Sequence, residues 1–364
     1  MTLLIDPVLD LPTGRVPDPE EFIAAAMRWH FSPETGSPYW LERARTLDFD
    51  PRRDVRTFAD LRLFPNVVNE LRNVPVRDLV PRGYGTSPHI VGVYESGGTT
   101  GAPKRVPLLA DWADRFVSWC AGYMDERGHP RGAHWLAVIP TGPHIWGEMV
   151  ARQARHRGGF VSYVDLDPRW VKKCLAEGRT EEAERYAAHV IAQAEFVLDD
   201  QDIGVLVTTP PLLERLARSE RLVELVNEKV RAIIWGGAHM DPDTRDLLRT
   251  EVFPGVQLFG QYGSTMILGG MVEREGIDDA CVFDPFTPYV TFSVIDPESG
   301  KEVAHGERGQ VVMNFVSKSG LLPNNLERDL ATRIAPLPGQ IGDSVADVSP
   351  VPSFDNEAVI EGVY

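Results

Sequence analysis

The chain is short of cysteine, of basic charge and of long apolar runs, and each shortage closes off a class of function. Its three cysteines, Cys120, Cys174 and Cys281, lie far apart in no metal-ligand spacing, which argues against a disulfide framework or a zinc site and fits a reducing compartment. Lys and Arg number 37 against 53 Asp and Glu, a net charge of −16. The basic face that nucleic acid or an anionic membrane demands is therefore not expected. No stretch approaches the roughly 18 consecutive apolar residues of a membrane span. The opening residues, Met1 to Pro7, lack the basic region and continuous apolar core of a signal peptide, so the expectation is a cytoplasmic protein. What remains is ordinary globular composition, 43% hydrophobic and 25% charged over 364 residues, enough for a sizeable core and more than one subdomain.

The chemistry is concentrated in residues 94–106, Tyr-Glu-Ser-Gly-Gly-Thr-Thr-Gly-Ala-Pro-Lys-Arg-Val. Gly97, Gly98 and Gly101 let backbone N–H groups converge on an anion, and Ser96, Thr99 and Thr100 donate hydroxyls. Lys104 supplies a compact positive charge. The ligand such a loop suits is a nucleoside triphosphate, ATP. A Walker A loop is excluded, because that motif opens a helix with lysine directly after the last glycine. Here Ala102 and Pro103 intervene, and proline biases the preceding residue away from helical geometry.

The rest of the chain supplies the frame. Asp18 as cap with Pro19 in the first turn predicts a helix through Trp29. Residues 110–127 place Phe116, Trp119, Cys120, Tyr123 and Met124 at helical spacing. Short apolar runs at 135–139, 203–208, 231–235 and 256–260 read as strands. They alternate with helices over 181–198, from 212 and from the Asp241-Pro242 cap. This alternation predicts a layered α/β core with parallel strands, and in such sheets ligands gather beyond strand C-terminal ends, where Gly236, Gly237 and Tyr262 fall. After residue 285 the pattern turns to hairpin strands at 289–295 and 310–316. The organisation expected is an N-terminal appendage over 1–90, an α/β nucleotide- and acyl-binding core over 91–285, a β-rich subdomain over 286–335 and an irregular tail over 336–364.

Four motifs in order resemble those of the adenylate-forming superfamily of acyl-CoA synthetases, nonribosomal adenylation domains and luciferases. Ser96 to Lys104 is similar to its Ser-Ser-Gly-Thr-Thr-Gly-x-Pro-Lys signature. The run Ala232 to Met240 is similar to the strand and Gly-Gly turn that lies against adenine, and Gln261-Tyr-Gly-Ser-Thr265 to Tyr-Gly-x-Thr-Glu. Gly306-Glu-Arg-Gly-Gln310 with Glu327-Arg-Asp-Leu330 is similar to the late Gly-Glu-x-Gly and Arg/Gly-Asp-Leu motifs. The resemblance spans about residues 90–335 and is closest in texture to the phenylacetate-CoA ligase branch. Length and the Tyr-Gly-Ser-Thr-Met reading resemble the truncated ligase-like proteins of phenazine-antibiotic biosynthesis.

What the resemblance implies is activation of a carboxylic acid, aromatic or heteroaromatic as in the nearest branches, to an acyl-adenylate with loss of pyrophosphate. Ser96, Thr99, Thr100 and Lys104 would hold the β- and γ-phosphates and Thr265 the α-phosphate. Tyr262, Gly263, Ser264 and the turn Gly236-Gly237-Ala238-His239 would enclose adenine, and Asp329 would bind the ribose. Pro140 to Gly147 resembles the family's acyl-pocket segment, so that Trp146 and Gly237 would wall the pocket. His144 either orients the substrate carboxylate or is a loop histidine bonded to backbone, and His239 is equally a nucleotide contact or a turn residue. Arg328 and Arg333 are either surface ion-pair partners or charges for the α-phosphate.

Two departures qualify the match. Met266 stands where the family has an acidic Mg²⁺ ligand, and a thioether suits a hard cation poorly. The expectation is ATP with Mg²⁺ held mainly through phosphates and no dedicated protein metal site. Only 35 residues follow Asp329, where the family continues into a mobile domain of about a hundred residues. The expectation is the ATP-binding core alone, delivering its acyl group to a separate acceptor protein or enzyme, with no efficient CoA ligation by itself. Two rivals stay open. An acyl-protein synthetase feeding a reductase would use Cys281 as acceptor, and a catalytically degenerate protein would only bind nucleotide or carboxylate.

Overall fold

The computed structural model describes residues 7–96, 102–277 and 280–351, and the backbone of two short strands at 353–354 and 357–358. The chain divides into two compact units. The first comprises residues 1–116, 264–268 and 284–346, and the second 117–263, 269–283 and 347–364. The units interleave along the chain, a division that composition shifts do not mark.

Unit 1 begins with three helices, α1 (Pro19–His30), α2 (Pro38–Arg43) and α3 (Pro51–Asp54). Each starts with proline after a capping residue. The Asp18 side chain accepts from the N–H groups of Glu20 and Glu21, Ser37 from that of Trp40 and Asp50 from that of Arg52. These caps satisfy donors that the first helical turn leaves unpaired. Helix α1 buries Phe22, Ile23 and Met27 completely, and Phe22 meets Tyr289 edge-on at 5.4 Å. The hairpin β1 (Ile90–Ser96) and β2 (Lys104–Leu109) follows, then α4 (Ala110–Glu126), whose residues from Val117 onward belong to unit 2. On α4, Phe116, Cys120 and Met124, four residues apart, are buried, whereas Trp119 and Tyr123 pair at 5.0 Å on its half-buried flank. The buried face also takes in Trp112, Ala113, Val117 and Ala121, so it is displaced from the one the sequence spacing suggests, with Trp119 and Tyr123 at its margin.

Unit 2 holds the parallel sheet. Its elements are β3 (His134–Val138), α5 (Ile145–His156), β4 (Phe160–Val164), α6 (Pro168–Ala176), α7 (Thr180–Asp200), β5 (Ile203–Thr208), α8 (Pro210–Leu216), α9 (Glu220–Lys229), β6 (Ala232–Gly236), α10 (Pro242–Leu247), β7 (Gln257–Ser264), β8 (Gly269–Val272) and β9 (Val282–Phe283). Six strands stand in the order β4-β3-β5-β6-β7-β8. The neighbours from β4 to β7 all run parallel. Strands β3, β5 and β6 are apolar along nearly their whole length, as burial on both faces of a parallel sheet demands. The helix expected to start at Leu212 in fact starts at Pro210 and ends at Leu216, and a second helix, α9, follows with Ser219 as cap. Strand β7 runs past Gly260 to Ser264, so Tyr262 and Gly263 lie within a strand rather than beyond its end.

Unit 1 resumes with β10 (Val290–Ile295), β11 (Arg308–Val316), β12 (Leu321–Ile334) and the first residues of β13 (Ser344–Pro350), which from Asp347 onward belongs to unit 2. These neighbour one another in that order, the first two pairs antiparallel. Strand β13 falls in the stretch expected to be irregular. Of that stretch's prolines, Pro336 and Pro338 precede the strand, Pro350 ends it and Pro352 follows it in sequence, while Ser344, Val345 and Ala346 are fully or almost fully buried.

Candidate active site

The residues singled out from sequence fall into two clusters, one in each unit. In unit 1 the final register pair of the β1–β2 hairpin is Ser96 opposite Lys104. The pair below it, Glu95 and Arg105, is an ion pair at 2.8 Å, and the Ala102 carbonyl accepts from the Arg72 guanidinium at 3.2 Å. Gly97, Gly98, Thr99, Thr100 and Gly101 lie outside the described residues. The hydroxyl and the lysine that frame them leave the same end of one hairpin, and Lys104 is only 5% exposed.

The second part of this cluster is the turn after β7. Thr265–Ile267 forms a short 3₁₀ turn, with the Ser264 hydroxyl accepting from the Met266 N–H at 3.2 Å. Leu268 closes it in the left-handed region at φ 55°, and its carbonyl accepts from Trp112 Nε1 at 3.0 Å. Met266 is buried and, with His30, Trp40, Phe315 and Leu322, lines a cavity of about 50 Å³. The Met266 side chain is thus committed to the interior, where a carboxylate would be desolvated. Among the described residues no group of three His, Cys, Asp or Glu is arranged to hold a metal.

Strand β12 completes the cluster. Its ladder to β11 jumps from Leu326 opposite Val312 to Leu330 opposite Gln310, so Glu327, Arg328 and Asp329 face Val311 alone. This is a wide irregularity of the β-bulge kind, which re-aims side chains and recurs beside functional sites. Glu327 Oε1 accepts from Asn325 Nδ2 at 2.6 Å, and its main-chain carbonyl from Gln310 Nε2 at 2.7 Å. The carboxylate also accepts from the Ser264 hydroxyl. Glu327 keeps part of its surface exposed, yet its carboxyl is desolvated enough to rise above the usual range. Hydrogen bonds from Ser264 and Asn325 and the charges of Lys104 and Arg328 oppose that rise. Asp329 is half-buried in the same bulge. Arg333, weighed as a phosphate charge, is engaged by Asp343 at 2.8 Å and Glu302 at 2.7 Å; it is an ion-pair residue.

In unit 2 the turn after β6 is built by steric fit. A Cβ on Gly236 would lie 2.8 Å from the Gln261 carbonyl and 3.2 Å from the Trp146 ring. Gly237 sits at φ 76°, with the same ring 3.6 Å from its would-be Cβ. Only glycine allows this approach. Trp146 Nε1 donates to Gln261 Oε1 at 3.0 Å, fixing the ring. The segment expected to wall an acyl pocket and the turn expected to hold adenine are therefore in contact.

His144, half-buried, is the N-cap residue of α5, without a side-chain capping bond. The loop before it is pinned where Asp165 accepts from both the N–H and the hydroxyl of Thr141. His239 Nδ1 lies 2.6 Å from the Val348 carbonyl; a carbonyl only accepts, so Nδ1 carries the proton and donates. Ala238 is half-buried beside it. Tyr262 is half-buried, its ring 5.5 Å from that of Phe283. Gly263 is required by β8, because a Cβ there would lie 2.0 Å from the Gly269 carbonyl. Cys281 is buried, and desolvation first, then the charge of Glu273, pushes its thiol well above the usual range. It is no candidate nucleophile.

Glu327 lies inside the Glu327-Arg-Asp-Leu330 motif, whose sequence alone assigns it no role. The signal that finds it is spatial, since its partners Lys104 and Ser264 come from distant parts of the chain.

The class that this parallel sheet and these clusters define is confirmed by comparison: residues 87–315 match the family model of the AMP-binding enzymes, and the chain belongs to that family. A phenylacetate-coenzyme A ligase of Pseudomonas putida is 26% identical over 300 residues, covering 78% of this chain and 59% of that protein. The chain thus spans less than two thirds of that relative's length. Among solved structures, a 2-hydroxyisobutyryl-CoA ligase in complex with 2-HIB-AMP and CoA superimposes with a TM-score of 0.64 at 15% identity, over 93% of this chain and 69% of that one. The same ligase in its postadenylation state gives 0.62 at 14% identity, over 86% and 62%. These likenesses show the fold. No helix among the described residues is long and apolar enough to cross a membrane.

Proposed function

We propose that this protein activates a carboxylic acid with ATP, forming an acyl-adenylate and releasing pyrophosphate. The observation that carries the reading is the unit 1 cluster, where the hairpin stem with Lys104, the Ser264–Thr265 turn and the bulged strand with Asp329 meet around Glu327. A carboxylate is already a nucleophile and needs no general base, so the protein's task is to position reactants and offset charge. Lys104 and Ser96 would hold the leaving phosphates, together with Thr99 and Thr100 of the loop. Thr265 would hold the α-phosphate and Asp329 the ribose, with adenine against Gly236, Gly237 and Tyr262. Mg²⁺ would offset charge on the phosphates that carry it.

For the acid we propose an aromatic or heteroaromatic ring. The support is Trp146, held against two glycines by its bond to Gln261, and the phenylacetate of the relative's name. We assign to these residues the adenylating half-reaction, with acyl transfer completed by a separate acceptor. A setting in secondary metabolism, antibiotic biosynthesis among its forms, rests on the resemblance to phenazine-pathway proteins. One observation favours a second reading as a nucleotide- or carboxylate-binding protein without turnover: Met266 faces the core where the family has an acid.

The test is mass-spectrometric detection of acyl-adenylate. The protein would be incubated with ATP, Mg²⁺ and a panel of aryl, heteroaryl, hydroxy and fatty acids. An adduct with aryl or heteroaryl acids supports the proposal; tight nucleotide binding with no adduct from any acid moves the reading to the binding protein.

A further inference from the structure

The Trp146 indole is fixed from two directions. Trp146 is the second residue of α5, and the start of that helix is seated tightly: a Cβ on Gly147 would lie 3.0 Å from the Pro140 carbonyl and 3.2 Å from the Thr141 Cα. Thr141 is in turn held by Asp165. The backbone under Trp146 therefore has little freedom, and what remains is rotation of the side chain. Gln261 removes it. An indole N–H only donates, so its bond of 3.0 Å to Gln261 Oε1 also settles which way the amide faces. Gln261 is the register partner of Gly236 on the neighbouring parallel strand, so the two share a face of the sheet, and the ring lies against that face. Gln261 is 9% exposed, and Gly270 leaves room at its root, where a Cβ would lie 3.7 Å from that of Gln261.

We propose that Gln261 is a specificity-determining positioning residue that acts through Trp146: by holding the indole across Gly236 and Gly237 it limits the depth of the acid site to one aromatic ring. The inference rests on the adenylation reading given above and on the place it gives to Trp146. The turn is open only because its two glycines lack Cβ atoms, and the tethered ring takes up that opening. Its atoms come within 3.2 Å of a would-be Cβ on Gly236 and 3.6 Å of one on Gly237. The methyl of Thr209, a fully buried residue, stands 3.8 Å from the same position on Gly237, so the wall behind the turn is closed as well. A long alkyl chain would need the ring to swing off the turn, and the bond to Gln261 opposes that. Trp146 is half-buried, so indole surface not turned to the glycines is left to face a ligand. A flat aryl acid gains offset stacking there that an alkyl chain does not.

The experiment measures acid-dependent exchange of labelled pyrophosphate into ATP by the full chain. It compares octanoate with whichever aryl or heteroaryl acid the wild type exchanges fastest, for the wild type, Gln261→Leu, Gln261→Glu and Trp146→Phe. The quantity read is the ratio of kcat/KM for the aryl acid to that for octanoate. Gln261→Leu, which has no acceptor for the indole, should lower this ratio about two- to tenfold, the scale of one hydrogen bond, through a higher KM for the aryl acid. Trp146→Phe keeps a ring but loses the N–H, and should lower the ratio to the same degree; it decides the matter alone if Gln261→Leu does not fold. Combining the two changes should lower it no further, because both remove one interaction. Gln261→Glu retains an acceptor and should retain the ratio. A merely structural role for Gln261 would depress exchange with both acids alike and leave the ratio where it was. That result, a ratio unmoved by Trp146→Phe, or a wild type that does not prefer the aryl acid overturns the inference while the adenylation reading stands. Absence of exchange by the wild type with every acid overturns both.

Discussion

The two clusters are specified by different physics. In unit 2 the Gly236–Gly237 turn is set by shape: a tryptophan ring, a carbonyl and a left-handed glycine leave no room for a Cβ. In unit 1 the parts are held by charge and hydrogen bonding around a lysine and a glutamate that are both poorly solvated. A shape-built turn responds to volume and ignores pH, whereas a charge-built cluster responds to pH and tolerates isosteric change. Unit 1 places a further pH-sensitive group beside its turn, because His30 lines the same cavity as Met266.

The contrast breaks most severely at Met266. Met266→Glu would bury a carboxylate against Trp40, Phe315 and Leu322. The expected loss is about 3–5 kcal/mol at neutral pH, the scale of an uncompensated buried charge, and it should shrink as acid neutralises the side chain. Urea unfolding at two pH values checks this; a variant as stable as wild type at pH 8 would show that the position faces solvent.

Next in size is His30. Its Nε2 sits 2.7 Å from the Ser317 carbonyl and must donate to it, while Nδ1 is buried with no partner among the described residues. Burial, only partly opposed by the bond to Ser317, lowers its pKa from 6.5 to about 4. The folded value lies below the unfolded one, so the stability tied to neutral His30 is present above pH 6.5. It is lost as pH falls toward 4, by about 3 kcal/mol. His30→Gln should flatten the fall in urea-measured stability over this window; an unchanged slope would place the acid sensitivity elsewhere.

On the shape-built side, Gly236→Ala should cost about 1–3 kcal/mol through overpacking, with the same penalty at pH 6 and pH 9. A pH-dependent penalty would blur the distinction between the clusters. Smallest is Asp241→Ala, which removes the cap that accepts from the Thr244 N–H. About 1 kcal/mol is expected from loss of an N-cap, read as a small drop in thermal midpoint.

The same distinction explains what the sequence could reveal. Strands β3, β5 and β6 were visible because a doubly buried parallel strand is a short unbroken apolar run. Helices α1 and α10 were visible because Asp18-Pro19 and Asp241-Pro242 are local signals. The last residues of β7, Gln261, Tyr262 and Gly263, carry no strand signature, and their place is set by neighbouring strands; Gly236 pairs with Gln261. Strand β13 was hidden by the prolines on both sides of it, Pro336 and Pro338 before and Pro350 and Pro352 at and after its end. Of the site, the hairpin end bearing Ser96 and Lys104 and the glycine turn could be read from composition and motif order. The contact of Trp146 with that turn, the inward Met266 and the bulge at Glu327 could not, because each depends on residues far apart in the chain.

The central claim is that Lys104 and its neighbours serve adenylation, and exchange of labelled pyrophosphate into ATP tests it most directly. The account predicts exchange that depends on an added aryl or heteroaryl acid and falls by about 10²-fold or more in Lys104→Ala, the scale for losing one preorganised charge partner. Exchange that needs no acid or is indifferent to Lys104, or none at all from protein that binds ATP, would contradict it.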